Sequence, residues 1–337
     1  ACPAHRRPDV SGDGRQLGLG LQTDKRPGDY APLAHMAEDA GFDVVTTFND
    51  LWFQPALPAL LEIAAATTRV RVGPSCLNPF TVHPVEIAGQ TAVLDATSNG
   101  RAFLGLARGT WLEPLGLDQS DPVTAIREAW EIVRRLLAGD DSGFMGRRFS
   151  LPQGQRLRFP ILRDEVPLLV GTWAPRLAAF AGEEAHELKV GGSSNPDVVA
   201  VLRERIANPN VGIVLGAVTV VDDDGARARR IARREVAMYL AVVAELDPTV
   251  EVDPELIARV REHVDAGDHD AAGSLIPDDL LDRFSFAGTP DEVAEHAEAV
   301  FAAGARRVDF GTPHGSPELR GVELLCTGVL PRLRVAV

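Results

Sequence analysis

Arg69-Val70-Arg71-Val72-Gly73-Pro74-Ser75 alternates polar and apolar residues with a period of two, then breaks at glycine and proline. That is the pattern of a strand running into a loop. A helix follows over Pro84–Ala96, with proline at its first turn. Ala102–Leu106 then reads as a short, buried strand. Strand, helix and strand in one short span make a βαβ unit, whose two strands lie parallel. Upstream, strands at Gln16–Gln22 and Asp43–Thr47 alternate with helices at Tyr30–Ala40, stopped by Gly41, and Ala56–Thr67. Downstream, Asp121-Pro122 opens a helix carrying Ile126, Trp130, Val133 and Leu137 at helical spacing. Strands at Val166–Gly171, Glu187–Val190, Val211–Val221 and Arg307–Gly311 follow, with helices from Arg176, over Pro196–Ile206 and over Pro317–Val329. Asp222–Glu245 and Pro254–Ala266 are two helices where one would do.

Eight strands, each followed by a helix, predict an α/β chain folded as a (β/α)8 barrel, with a helical insertion after strand 7 over about Asp222–Leu281. A doubly wound sheet would carry a glycine-rich turn after an early strand. Gly18-Leu19-Gly20 lies inside the strand and lacks the third glycine. Residues 16–337 therefore read as a single barrel domain. Ala1–Arg15 reads as a disordered extension.

The 337 residues hold 34 Lys and Arg against 48 Asp and Glu, a net charge of −14, which argues against a nucleic-acid partner. No apolar run reaches the roughly 18–20 residues of a membrane span. Cys2, Cys76 and Cys326 fit neither a disulfide framework nor a zinc pattern, so a reducing cytoplasm is expected. His263 and His269 lack metal-ligand spacing. Asp222-Asp223-Asp224-Gly225 lacks the alternating ligands of a calcium loop and reads as a helix-capping turn. No metal is expected.

In such a barrel the active site is built by loops at the C-terminal ends of the strands. Two of them, Gly171–Pro175 and Gly191–Asn195, precede helices and combine backbone amides with hydroxyls, which suits a phosphate. Arg108 and Arg176 lie on two of these strand-end loops; a guanidinium there suits a phosphate or carboxylates.

Asn78-Pro79-Phe80-Thr81-Val82-His83-Pro84, Leu94-Asp95, and Gly100-Arg101-Ala102-Phe103-Leu104-Gly105 resemble the bacterial-luciferase-like flavin and deazaflavin oxidoreductases. Within that superfamily the resemblance is to the coenzyme F420-dependent methylenetetrahydromethanopterin reductases. Ala37–Phe42, Thr124–Glu128, Ser194-Asn195-Pro196, Phe284–Asp291 and Gly311-Thr312-Pro313-His314-Gly315 extend it collinearly. The resemblance implies F420, or alternatively FMN, lying in the barrel mouth near the ends of strands 3 and 4. Its ring would rest against Asn49, Ser75, Cys76, Leu77 and Asn78, and against Ala107, Arg108, Gly109 and Thr110. A non-prolyl cis peptide is implied at Ser75–Cys76. The tail would lie along Gly171, Thr172, Trp173, Ala174 and Arg176, and along Gly192, Ser193 and Ser194.

The departures matter as much. Many relatives carry Asp-His at the end of strand 2, where this chain has Asn49 and Asp50; acidic residues elsewhere in the family match Gly20 and Thr110. Asp50 and Glu113 are the carboxylates left to move a proton. Trp52, Trp111 and His314 are candidates to contact a substrate. The expected activity is an F420-dependent reductase moving hydride to a C=N or C=C bond of a small molecule, for which a specialised metabolite is a natural candidate. An FMN-dependent monooxygenase and a non-catalytic flavin binder are the alternatives. Relatives commonly pair, so a homodimer is expected, with the Ala/Leu-rich helix Ala56–Thr67 offering an apolar face.

Overall fold

A computed structural model describes residues 14–335. Eight parallel strands form the barrel: β1 (Gln16–Leu21), β2 (Val44–Thr47), β3 (Arg71–Pro74), β4 (Leu104–Ala107), β5 (Leu168–Gly171), β6 (Glu187–Gly191), β7 (Gly212–Val221) and β8 (Arg307–His314). Hydrogen bonds run in the order β3-β2-β1-β8-β7-β6-β5-β4. The seam between β3 and β4 closes through bridges at Val72–Ala102 and Leu77–Leu106 alone. This is the expected (β/α)8 barrel, nearly closed.

Helices α1 (Tyr30–Ala40), α2 (Ala56–Ala66), α3 (Pro84–Thr97), α4 (Pro122–Ala138), α5 (Pro175–Glu184) and α6 (Val198–Ile206) jacket the first six strands. Gly41 ends α1 at φ 99°, a left-handed cap that L side chains rarely adopt. After β7 come α7 (Gly225–Leu246), α8 (Pro254–Asp265), α9 (His269–Ser274) and α10 (Asp278–Phe284), then α11 (Pro290–Ala302) leading to β8, and α12 (Glu318–Leu324). Asp224 accepts from the Arg227 amide at the start of α7, the capping role its acidic turn suggested.

Two features depart from the sequence reading. The insertion holds four helices, and Ala228, Val236, Leu240, Leu281 and Phe284 give it an apolar cluster of its own. Ser285–Gly288 is a further strand, pairing in parallel with Val218–Val221 at the far end of β7. β6 covers the first half of β7, from Gly212 to Gly216, and the new strand takes up the second half. Its four residues are too short to show a period of two. The disordered extension falls on residues outside those described, save that Arg15 pairs with Glu298 at 2.6 Å.

The barrel interior carries a buried ladder of charges beside a small apolar cluster of Val44, Phe103 and Leu169. Arg307 bonds both oxygens of Glu187 (2.8 and 2.9 Å) and pairs with Asp309 at 2.8 Å. Lys189 holds the other Asp309 oxygen at 2.7 Å, and Arg71 reaches Glu187 at 3.2 Å. Space for this ladder comes from small inward residues: a Cβ on Gly18 would stand 1.9 Å from Asp309 Oδ1. Burial alone would raise the Glu187 and Asp309 carboxyls, but the facing Arg307 holds both below their ordinary range. Among the described residues no helix is long and apolar enough to cross a membrane.

Candidate active site

The loops after β1 and β2 are tied together at the barrel mouth. Gln54 donates its backbone N–H to the Thr23 carbonyl (3.0 Å) and its side-chain amide to the Lys25 carbonyl (2.7 Å). Gln22, the first residue past β1, continues the inward phase of Gly18 and Gly20. Its Oε1 accepts the Thr23 amide (2.9 Å), which turns its Nε2 toward Asp50 Oδ2 at 2.9 Å. Burial pushes the Asp50 carboxyl up, and the Gln22 bond offsets this only in part. Among the described residues no cation pairs with Asp50, so the local chemistry favours its protonated form more than in an ordinary Asp. The space matching the family's acidic residue on strand 1 is closed: a Cβ on Gly20 would already sit 2.9 Å from Phe48 Cζ.

The Ser75–Cys76 peptide after β3 is cis, as the resemblance implied. Burial pushes the Cys76 thiol up to about 11, with Lys189 opposing, so the sulfur stays a neutral thiol. Leu77 exchanges backbone bonds with Gly105 and Ala107 (both 2.9 Å), which joins the bulge to β4. Its side chain and that of Asn78 are buried. Asn78 Oδ1 accepts from the Phe80 and Thr81 amides and the Thr81 hydroxyl (2.9–3.1 Å), so it shapes the loop, and its amide nitrogen lies against Gly109. Asn49 is likewise structural, its Oδ1 accepting the Ala56 amide at the start of α2.

After β4 the chain turns outward at Ala107, Arg108, Gly109 and Thr110. Gly109 has φ 81°, and a Cβ there would meet Leu112 at 2.9 Å and Asn78 at 3.1 Å. Arg108 and Arg176 are exposed, and among the described residues neither guanidinium has a hydrogen-bond or ion-pair partner. Glu113 stands exposed on a single 3-10 turn, and among the described residues its side chain has no hydrogen-bond or ion-pair partner. After β5, Thr172 Oγ1 accepts the Ala174 amide and Trp173 Nε1 donates to the Gly191 carbonyl.

The loop after β6 corrects the sequence reading. The amides of Gly192 and Ser193 both donate to the Gly216 carbonyl (2.7 and 3.1 Å), and that of Ser194 to the Arg283 carbonyl (3.0 Å). The Ser194 hydroxyl donates to the Asp282 and Ser285 carbonyls, and the Ser193 hydroxyl accepts the Asn195 amide. The amides of Gly192, Ser193 and Ser194 and the Ser194 hydroxyl, expected to cradle a phosphate, are engaged by the protein itself, and Ser193 is buried. The loop fastens the insertion to the barrel. His314 also departs from expectation. Its side chain is fully buried, one ring nitrogen 3.2 Å from the Phe310 carbonyl and the other 3.2 Å from Glu318 Oε1, so it supports the wall and shows no face to a substrate. Glu318 in turn pairs with Lys25 at 3.0 Å, bracing the β8 loop against that of β1.

The sequence reading passed over Gln22, Lys25 and Glu318. Only Gln22 left a signal, as an amide in phase with the two inward glycines of β1. Among the described residues no group of three or more His, Cys, Asp or Glu could hold a metal ion.

A family model described as luciferase-like monooxygenase matches residues 3–307, so the chain belongs to that family. It is 27% identical to the 5,10-methylenetetrahydromethanopterin reductase of Methanopyrus kandleri, over 94% of this chain and 98% of the relative. It is 26% identical to the F420-dependent glucose-6-phosphate dehydrogenase of Kineococcus radiotolerans, over 96% of this chain and 99% of the relative. The solved structure of the coenzyme F420-dependent tetrahydromethanopterin reductase from Methanopyrus kandleri superposes with a TM-score of 0.86 at 26% identity, covering 95% of this chain and 99% of that one.

Proposed function

We propose that this luciferase-like chain is a coenzyme F420-dependent reductase acting on a C=N or C=C bond of a small substrate. Full-length relatives that carry F420 in their names support the cofactor. The mouth supports it independently. Two unpaired guanidiniums, Arg108 and Arg176, stand ready for an anionic tail, and Gly191 faces open space at the end of β6. The residues suited to hold the coenzyme are the backbone of Ser75–Leu77 and Ala107–Thr110, with Thr172–Arg176 along the tail. Reduced F420, when bound, supplies the hydride.

The protein's share is orientation and one proton. Asp50 carries the reading: a carboxyl lifted by burial, beside a neutral amide, at the mouth. Gln22 fixes Oδ2, which leaves Oδ1 to carry the proton. As hydride reaches carbon, the neighbouring nitrogen or carbon takes this proton, and Asp50 ends as a carboxylate to be reprotonated from water. Glu113, exposed beyond β4, is a poorer donor. The same reading places the chain in the cytoplasm as a homodimer. Leu57 and Leu61 on α2 are half-buried and packed on the core, leaving Pro58 and Ala65 as the exposed part of that face.

Titration of the purified protein with F420 and, separately, with FMN tests the cofactor. Tight F420 binding with weak FMN binding is expected; the reverse would overturn the assignment in favour of a flavin monooxygenase. Sedimentation at micromolar concentration tests the dimer.

A further inference from the structure

The four tryptophans fall into two kinds. Trp130 is buried on α4 with its Nε1 bonded to Glu184 (3.3 Å), and half-buried Trp173 bonds the Gly191 carbonyl (3.2 Å). Trp52 and Trp111 are 81% and 50% exposed, and among the described residues neither indole N–H has a partner. Both hold left-handed backbone angles, φ 71° and 55°, which bulky residues seldom take and which concentrate at ligand clamps. Trp52 lies on the loop after β2, two residues beyond Asp50. Trp111 lies on the loop after β4. The β3 loop with its Ser75–Cys76 bulge stands between them, because β2–β3 and β3–β4 are neighbours. Phe53, Leu115 and Leu117, at 47%, 41% and 37% exposure, extend the apolar rim.

Flat, water-facing indoles on two sides of one mouth leave apolar area and π faces that a flat ring would cover. Their free N–H groups add two donors for a ring nitrogen or carbonyl. We propose that Trp52 and Trp111 form a recognition rim for a planar heteroaromatic substrate whose reducible C=N bond lies in, or is conjugated with, its ring. This deepens the reading of the mouth given above and rests on it. A saturated or branched substrate would gain burial but no stacking. A substrate as polar as a sugar phosphate would leave the rim uncovered.

Equilibrium dialysis of the F420-loaded protein with quinoxaline, and with decahydroquinoxaline as its saturated counterpart, tests the proposal. Trp52→Asn and Trp111→Asn are the variants, because Asn tolerates left-handed angles and keeps the loops folded. Quinoxaline should bind, with decahydroquinoxaline about tenfold weaker, and each variant should lose about three- to tenfold of quinoxaline affinity. F420 affinity, followed by the coenzyme's own absorbance, should not change. Equal binding of the saturated compound, no binding of quinoxaline, or no loss in the double variant would overturn the proposal. So would a change of sedimentation coefficient in the double variant, which would make the rim a subunit contact. Dialysis with coenzyme-free protein separates the two readings: if F420 fails to bind but quinoxaline still does so through the tryptophans, the cofactor assignment fails and the rim stands.

Discussion

The loop after β6 and the loops after β2, β4 and β5 stand at the same end of the barrel, yet they differ in what they leave unbonded. Gly192–Asn195 has the composition of an anion cradle, yet the amides of Gly192, Ser193 and Ser194 go to Gly216 and Arg283, the Ser194 hydroxyl to Asp282 and Ser285, and the Asn195 amide to the Ser193 hydroxyl. Asn195 is further held by Asp247 (2.9 Å) and Thr249 (2.8 Å). The other loops look less promising in sequence, but among the described residues they present Asp50 with one neutral partner, Arg108 and Arg176 with no hydrogen-bonded partner for the guanidinium, and two indoles open to water. A site is made by donors and surfaces that the fold has not used, and residue type alone does not show which those are.

The largest effect expected from this contrast is at Asp50. Asp50→Asn keeps an acceptor for Gln22 and removes the proton that catalysis needs. Turnover should fall about 10²–10⁴-fold, with F420 affinity nearly unchanged. A weakened coenzyme with normal turnover would instead make Asp50 an anchor. Next come the unpaired guanidiniums. Arg108→Ala and Arg176→Ala should each weaken F420 about tenfold, the worth of one charge-assisted hydrogen bond, and more so at low salt. An unaffected titration would leave these side chains as ordinary solvated surface.

How much of this was legible follows from range. The barrel was legible because strand and helix periods are local, and the resemblance around Asn78–Gly105 fixed the register of the β3 bulge. Asp50 stood out as a carboxylate where relatives carry an imidazole. The insertion's closing strand was not legible, since Ser285–Gly288 is recognisable only against Val218–Val221. Nor was the fate of Ser194, whose two acceptors lie 88 and 91 residues away. His314 misled for a different reason: its partners, Phe310 and Glu318, are only four residues to either side, but the left-handed turn at the end of β8 that brings its ring to both leaves no periodic signal.

Ser194→Ala sharpens the comparison from the closed side. It removes a buried hydroxyl that bridges the Asp282 and Ser285 carbonyls, so it should cost about 1 kcal/mol of stability in a denaturant titration. The loss should show first as easier proteolysis in α10. F420 affinity should stay as in the parent chain. A drop in affinity without a loss of stability would restore this loop to the coenzyme's site.

The smallest effect separates the open side from the closed one by its sign with pH. Glu38 behaves as a closed group: burial alone would raise its carboxyl, but the amides of Val70, Arg69 and Thr68 hold it at about 2. A depressed carboxyl contributes stability above its unfolded pKa and loses it as pH falls toward the folded value. Asp50 runs the other way. Its folded pKa is raised, so whatever it contributes is present below the unfolded pKa and is lost as pH rises through the folded one. The neutral amide of Asp50→Asn carries no such penalty. Melting curves taken upward from about pH 2 should therefore show the Asn variant gaining on the parent chain as pH rises past the unfolded Asp value, while Glu38→Gln loses ground between about 2 and the ordinary Glu value of 4.5 and keeps a constant deficit above it. If Asp50→Asn tracked the parent at every pH, the carboxyl would be solvated like any surface Asp. The proton in the proposed reduction would then have to come from water or from Glu113.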